Sequence, residues 1–466
     1  MTMQTSTIPP LSVVVLAAGK GTRMKSALPK VLQPLAGRPL LAQTLASVAA
    51  LKPARTVVVV GHGAEQVKAA FSDRSDLLWT VQAPQNGTGH AAAVGLVPIT
   101  DGGVTLLVTG DTPLIRSETL AALTKLVNEQ TFALLTCNVA DATGYGRIVR
   151  NAAGEAVKIV EHKDALAAND AAVLAVSEIN TGIMAAPTAW LRAALCRLEP
   201  KNAQGELYLT DVIAMAAVDG LRVATAQPES EMEIVGVNDK VQLAALERDV
   251  QRAEANRLMT VGVTLADPAR IDVRGKLTTG SDVFIDVGCL FIGDVTLRDN
   301  VTIGPNCVLI NAAIGANTTV HAMSHLEGCT VGEDALIGPF ARLRPGATLG
   351  NEVHIGNFVE VKNSTLAKGA KANHLAYLGD ATVGERVNYG AGSITANYDG
   401  VNKHRTVIEA DVHVGSNCVL VAPVTIGAAG TIAGGSTITK DTPPSALSVA
   451  RGKQVSIPNW KRAKKH

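Results

Sequence analysis

The sequence predicts two folds in tandem: a layered α/β domain over residues 1–240 and a coil of short parallel strands over residues 262–466, joined by a helix across 241–261. Three observations predict them. Short apolar runs alternate with helical-looking segments in the first half, an amphipathic stripe covers 241–258, and an aliphatic residue recurs at every sixth position over much of 285–438.

In the first half, Val13-Val14-Val15-Leu16 and the runs at 56–60, 105–108 and 133–135 read as buried strands, and 40–51, 64–71 and 118–127 read as helices between them. Apolar strands alternating with helices predict a mostly parallel, Rossmann-like sheet covered on both faces. Ligands of such sheets bind beyond the carboxyl ends of the strands. Gly19-Lys20-Gly21 and Gly110-Asp111 both fall there.

The glycine loop needs careful naming. Met24 stands where a dinucleotide fingerprint has its third glycine, and no Gly-Lys-Ser/Thr follows at Walker A spacing. Alone, Gly-x-Gly is only a tight turn. Lys20, Arg23, Lys25 and Lys30 around it make polyphosphate binding the better reading, because backbone N–H groups in such a loop approach phosphates closely.

Residues 16–24 (Leu16-Ala17-Ala18-Gly19-Lys20-Gly21-Thr22-Arg23-Met24) with Pro29-Lys30 resemble the signature of sugar-phosphate nucleotidyltransferases. Gln82 with Gly87-Thr88-Gly89-His90, Gly110-Asp111, Gly144-Tyr145-Gly146-Arg147, Glu161-His162-Lys163, Asn180-Thr181-Gly182 and Gly236-Val237-Asn238 match the same family in order. The resemblance implies that a sugar-1-phosphate oxygen attacks the α-phosphorus of UTP and that pyrophosphate leaves. Such chemistry asks for positioning and charge neutralisation. Arg23 and Lys30 would neutralise the phosphates. Asp111 and Asn238 would hold Mg²⁺, a hard ion that takes few protein oxygens and several from phosphate and water. The resemblance also places Leu16, Ala17, Ala18, Gly19, Gln82, Gly87, Thr88, Thr109 and Gly110 on the nucleotide, and Gly146, Glu161 and Asn180 on the sugar. Thr109 departs from the tyrosine expected there, keeping a hydroxyl and losing a ring.

Across 241–258, Leu243, Leu246, Val250 and Ala253 form one apolar stripe, with Glu247, Arg248, Asp249 and Arg252 elsewhere. That pattern predicts a packed helix acting as a stiff arm.

In the second half, Ile285, Phe291, Leu297, Ile303 and Leu309 start the six-residue series, Ile337, Leu343, Leu349, Ile355 and Val361 continue it, and Ile408, Val414, Leu420, Ile426, Ile432 and Ile438 end it. A period of six fits neither a helix nor a meander. Three six-residue sides close a coil that is stable only when stacked on others. The slip between Leu309 and Ile337 predicts one or two five-residue sides. Cys289, Cys307 and Cys418 fall on a small inward position and read as core. The pattern resembles the hexapeptide repeat of left-handed parallel β-helix acyltransferases. The hand comes from that family, as an exception to the usual crossover rule.

Breaks in a solenoid often carry function. They are expected at 362–383 and 395–405, around Asn373-His374, Tyr377-Leu378-Gly379-Asp380, Asn388-Tyr389 and Asn397-Tyr398-Asp399-Gly400. These residues resemble a family of bifunctional enzymes that acetylate glucosamine-1-phosphate and then uridylylate the product. The resemblance implies that His374 is the base, since neutral imidazole suits proton removal near pH 7. Arg344 and Lys362 would clamp the sugar phosphate, one as a fork and one as a point charge, and Tyr377 and Asn388 would hold the sugar. Ala391, Asn397, Tyr398, Ser416, Gly434 and Arg451 would line the acetyl-CoA site, with Gly434 standing where alanine is expected. Such enzymes are homotrimers with the acetyl site between subunits, and their UDP-N-acetylglucosamine feeds peptidoglycan and lipopolysaccharide precursors. The rival reading is a uridylyltransferase whose β-helix is only a trimerisation scaffold. Asn373-His374 and Asn397-Tyr398 argue against it.

Bulk properties narrow the partners. The net charge of +1 over 466 residues gives no field for nucleic acid, although Arg451, Lys461, Arg462, Lys464 and Lys465 make the tail locally basic. Six cysteines lack metal-ligand spacing. The first ten residues carry no charged n-region, and 11–18 is too short for a signal core or a span, so a cytoplasmic, membrane-free protein is expected.

Overall fold

The computed structural model describes residues 10–100, 102–200 and 205–463, so Lys464 and Lys465 lie outside the described residues. The chain divides into two compact units, Met1–Glu247 and Arg248–His466.

The first unit is built on a nine-stranded sheet. Its main path runs Arg222–Ala226, Thr131–Asn138, Glu178–Pro187, Val104–Thr109, Leu11–Ala17, Arg55–Val60, Leu77–Val81. Val13, Val14 and Val15 are all fully buried because this strand is central and both faces are covered. Val13 and Val15 pack into one apolar layer and Val14 into the other. The predicted helices form as Leu40–Ala50, Ala64–Ala70 and Ser117–Lys125. Glu178–Pro187 runs antiparallel to all three strands it pairs with, a strand that the motif Asn180-Thr181-Gly182 disguises with polar and glycine residues. The carboxyl ends of Leu11–Ala17 and Val104–Thr109 stand side by side, and Gly110 N–H donates to the Leu16 carbonyl at 2.9 Å.

The helix Lys240–Thr260 buries a different stripe from the expected one. Ala253 is exposed, whereas Leu246, Gln251, Ala255 and Leu258 are buried. Gln251 is the reason the apolar pattern misleads. Its Oε1 accepts from Val273 N–H at 2.7 Å and its Nε2 donates to the Val273 carbonyl at 2.9 Å, so a polar side chain is satisfied in the interior.

The second unit is a prism of parallel strands in an 11-stranded and a 17-stranded sheet. Register shows how the period holds. Ile303 pairs with Val320 and Val320 with Ile337, each seventeen residues on, whereas Ile337 pairs with Ile355, eighteen on. The slip is two five-residue sides, Leu309 to Ile314 and Leu326 to Val331, with all four side chains buried. The break predicted at 362–383 is absent. Leu366, Ala372, Leu378 and Val383 continue the inward series and none is more than 2% exposed. Two more five-residue sides and a small alanine hide the period there. Asn373, His374 and Tyr377 therefore sit on the coil itself. The long step is between inward Thr395 and Ile408, where 397–405 loops out and Tyr398 bridges Lys403. Cys289, Cys307, Cys329 and Cys418 are buried free thiols.

Candidate active sites

The first site grows from the carboxyl ends of Leu11–Ala17 and Val104–Thr109. The loop after Leu11–Ala17 makes a single 3₁₀ turn, Thr22–Met24, whose Met24 is 1% exposed and pins the loop to the core. The position of Met24, so unlike a dinucleotide glycine, is thus an apolar anchor. Gly21 adopts φ +58, and a Cβ there would lie 2.8 Å from Lys30 Cβ, so only glycine lets the loop and Lys30 approach. Nothing lies within 4 Å of where a Gly19 Cβ would stand, which leaves that backbone open to a ligand.

A cavity of about 470 Å³ opens here. Its wall brings together Leu16, Ala17, Ala18, Gly19, Arg23, Lys30, Gln82, Gly87, Thr88, Thr109, Asp111 and Asn238. Gln82 is buried and donates to the Gly87 carbonyl at 2.8 Å. A Cβ on Gly87 would lie 2.6 Å from the Leu207 carbonyl oxygen, so glycine is required at this helix start. Thr109 spends its hydroxyl on Thr112, 3.0 Å away. Lys30 Nζ is ion-paired to Asp111 and donates to Asn238 Oδ1 at 3.3 Å. Two hard oxygens, one anionic, thus converge on one point charge. The donor set fits Mg²⁺ with phosphate and water completing its shell. No group of three His, Cys, Asp or Glu side chains suited to a metal occurs among the described residues.

Not every candidate reaches that wall. Gly110 lies behind it, bonded to Leu16. Gly146, Glu161 and Asn180 form an adjoining group: Asn180 N–H donates to the Gly146 carbonyl at 2.8 Å, and Thr210 Oγ1 donates to Glu161 Oε1 at 3.2 Å. Burial pushes the Glu161 carboxyl up, and the Thr210 hydroxyl returns part of that shift. Gln85 and Glu206 also line the cavity, and neither was picked out from the sequence. Gln85 Nε2 donates to the Ala18 carbonyl and so holds the loop from behind. Isolated glutamine and glutamate give no sequence signal for this.

The second site lies on one corner of the prism and the faces beside it. His374 ends the strand Lys371–His374, exposed, with Nδ1 3.0 Å from Oδ1 of Asn357 one coil earlier. With that oxygen accepting, Nδ1 carries the hydrogen and the Nε2 lone pair faces outward. Ala391, Ser416 and Gly434 continue along the corner: the Ala391 carbonyl accepts from Asn417 N–H at 2.7 Å, the Ser416 carbonyl from Gly435 N–H at 2.8 Å, and the Gly434 carbonyl from Arg451 Nη1 at 2.8 Å. A Cβ on Gly434 would meet only Ser416 at ordinary contact distance, so glycine is not forced there.

On the neighbouring face Arg344 and Lys362 stack on successive coils, with Arg344 N–H bonded to Val361. Arg344 Nη1 donates to Glu360 Oε1 at 2.8 Å. The ammonium of Lys403 beside Lys362, together with the Arg344 guanidinium, holds the Lys362 pKa below its ordinary value. Tyr377 pairs in register with Glu360, and a Cβ on Gly379 would run into its hydroxyl and lie 2.5 Å from its ring, so glycine is required beneath that side chain. Asn397 is buried and bonded to Asp380, and Tyr398 is exposed with its hydroxyl on the Gly400 carbonyl at 2.6 Å. Asn388 opens a strand of the 11-stranded sheet, on a different face from Arg344, Lys362 and Tyr377. Asn357, Glu360 and Lys403 escaped sequence reading, although the first two lie one coil from His374 and Tyr377 and follow from the 17-residue step.

A cationic pocket of nucleotide size beyond the carboxyl ends of the central strands of an α/β sheet, followed by a hexapeptide-repeat prism with a polar corner, defines a nucleotidyltransferase domain joined to a hexapeptide transferase domain. Family descriptions agree: residues 13–201 match the MobA-like NTP transferase domain and residues 328–363 the bacterial transferase hexapeptide. The chain is 60% identical to the bifunctional protein GlmU of Polaromonas sp. strain JS666 over 97% of this chain and 98% of that one. It is 58% identical to GlmU of Acidovorax sp. strain JS42 over 98% of each, and 54% identical to GlmU of Nitrosospira multiformis over 97% of each. The chain belongs to the bifunctional GlmU family, with its NTP transferase domain first and its acetyltransferase-type left-handed β-helix second. A solved nucleotidyl transferase from Methanothermobacter thermautotroptrophicus is 22% identical, with a TM-score of 0.38, over 52% of this chain and 99% of that one. A likeness that slight carries no argument.

Proposed function

We propose that the chain makes UDP-N-acetylglucosamine in two steps. The β-helix transfers an acetyl group from acetyl-CoA to glucosamine-1-phosphate. The α/β unit then transfers uridylyl from UTP to N-acetylglucosamine-1-phosphate and releases pyrophosphate. One observation carries this reading over that of a scaffold: Lys362 is crowded by Lys403 and Arg344 on a repeat whose packing needs no cations. Glu360 and Asp380 offset part of the charge of these three cations, and a sugar phosphate would supply further anionic oxygens to them.

In acetyl transfer the sugar amine attacks the thioester carbonyl, the carbon–sulfur bond breaks, and coenzyme A leaves. Nε2 of His374 takes the amine proton, since Nδ1 is committed to Asn357. Arg344 and Lys362 hold the phosphate and Tyr377 and Asn388 the sugar. Ala391, Asn397, Tyr398, Ser416, Gly434 and Arg451 receive acetyl-CoA. These residues spread over two faces and a corner of one prism, which supports completion of the site by a neighbouring copy in a homotrimer.

In uridylyl transfer the glycine loop offers N–H groups to the phosphates, while Arg23 and Lys30 neutralise charge that builds on the leaving pyrophosphate. Gln82, Gly87 and Thr88 take the uracil, and Gly146, Glu161 and Asn180 take the sugar. Asp111 and Asn238 would hold Mg²⁺, which when bound supplies positive charge to the phosphates. No helix among the described residues is long and apolar enough to cross a membrane. Soluble substrates suit a cytoplasmic enzyme whose product feeds peptidoglycan and lipopolysaccharide precursors.

The test is coenzyme A release from acetyl-CoA, followed by chromatography, in the wild type and His374→Ala. Release should require glucosamine-1-phosphate and collapse in the variant. No sugar-dependent release from the wild type would leave a one-reaction uridylyltransferase.

A further inference from the structure

Asp380 is a carboxylate 7% exposed on a corner of the β-helix, at φ +50, and no catalytic or binding role above depends on it. Buried carboxylates are costly unless their oxygens are satisfied. Here each oxygen takes one amide: Asn363 Nδ2 donates to Oδ1 at 2.5 Å and Asn397 Nδ2 donates to Oδ2. The three side chains stack at seventeen-residue steps, one per coil.

The main chain of Asp380 does as much as its side chain. Its carbonyl accepts from Thr406 N–H at 3.2 Å, and its N–H donates to the Lys362 carbonyl at 3.1 Å. One residue therefore clasps both ends of the loop 397–405, Asn397 at the entry and Thr406 at the exit. That loop bears Tyr398 and Lys403. Burial pushes the Asp380 carboxyl up, but the two amides and the ammonium groups of Lys403 and Lys362 outweigh it, so the group stays ionised.

We infer that Asp380 is a positioning residue for acetyl transfer, setting the 397–405 loop so that Asn397 and Tyr398 meet acetyl-CoA. The inference rests on the acetyl-site reading given above. Asp380 touches no reacting atom. Its effect runs through Asn397.

The test measures initial rates of coenzyme A release while acetyl-CoA and glucosamine-1-phosphate are varied in turn, for full-length wild type, Asp380→Ala and Asp380→Asn. Uridylyl transfer and melting curves are taken on the same preparations. Asp380→Ala should raise KM for acetyl-CoA about tenfold, the size of a lost buried polar contact, with kcat within about threefold and a smaller change in the KM for glucosamine-1-phosphate, because Lys362 also faces this carboxylate. Asp380→Asn can stack its amide between those of Asn363 and Asn397 and should recover most of the loss. An unchanged KM for acetyl-CoA in Asp380→Ala overturns the inference. So does a collapse of the melting transition, because Asp380 would then serve stability alone. Absence of sugar-dependent release from the wild type would instead sink the acetyl-site reading beneath it.

Discussion

The ammonium of Lys30 lies 3.3 Å from Oδ1 of Asn238, with its ion pair to Asp111 completing a three-residue knot at the mouth of the glycine loop. A cation from the chain thus occupies the place where two oxygens converge. Asp111→Asn keeps the shape and removes the charge. UDP-sugar formation should fall about 10²–10³-fold, as it does when a charge-stabilising group is lost, and should need more Mg²⁺ for half-maximal rate. Acetyl transfer in the same preparation should be unchanged. Loss of both activities in a folded protein would refute the independence of the two sites.

Gly21→Ala places a methyl against Lys30 at a positive φ. The backbone strain is about 1–2 kcal/mol, and the displaced Lys30 should lower kcat/KM for UTP by at least about tenfold. Titration of UTP in a uridylyl assay reads this directly. Wild-type kinetics would mean that the loop and Lys30 move independently.

Glu161 gives a pH prediction with a definite sign. Burial raises its folded pKa above the unfolded value, so the folded chain holds the proton longer. Its destabilising contribution is absent below the unfolded pKa, about 4.3, and grows as pH rises through the folded pKa. Glu161→Gln should therefore melt higher than wild type at pH 8, and the two should converge near pH 4. The opposite slope would contradict a desolvated carboxyl.

Tyr389 is 3% exposed, and its hydroxyl has no hydrogen-bond partner among the described atoms. It fills the inward position between Ala372 and Val414 in register. Tyr389→Phe removes an unsatisfied polar group and keeps the ring, so it should stabilise the β-helix by about 1 kcal/mol. Denaturant melts of the two proteins compare this. A large loss would reveal a partner for that hydroxyl.

Much of this was legible in the residues. The every-sixth aliphatics gave the coil, and the alternation of valine runs with helical patterns gave the sheet. What hid was whatever broke the apolar rule. Ala372 and the five-residue sides masked a continuous stretch of repeat as a break, and Gln251 sat polar in the interior. Asn180-Thr181-Gly182 masked a central antiparallel strand. At the sites, motif residues close in sequence were visible, but Gln85, Glu206 and Lys403 act through tertiary neighbours that no spacing announces. Asn357 lies one coil before His374, so the stacking step alone contained it.

Gln251 also bears on how the chain behaves when crowded. A stacked parallel coil ends in a row of open amides, the same template that lets strands recruit further chains into fibres. At the first long strand, Ile271–Thr279, Gln251 takes both the N–H and the carbonyl of Val273. The side chain acts as a plug of one peptide's length, so the end of the stack is denied to any incoming strand at that point. Arg257 Nη2 donates to the Leu277 carbonyl of the same strand at 3.2 Å, so a second side chain shares that guard.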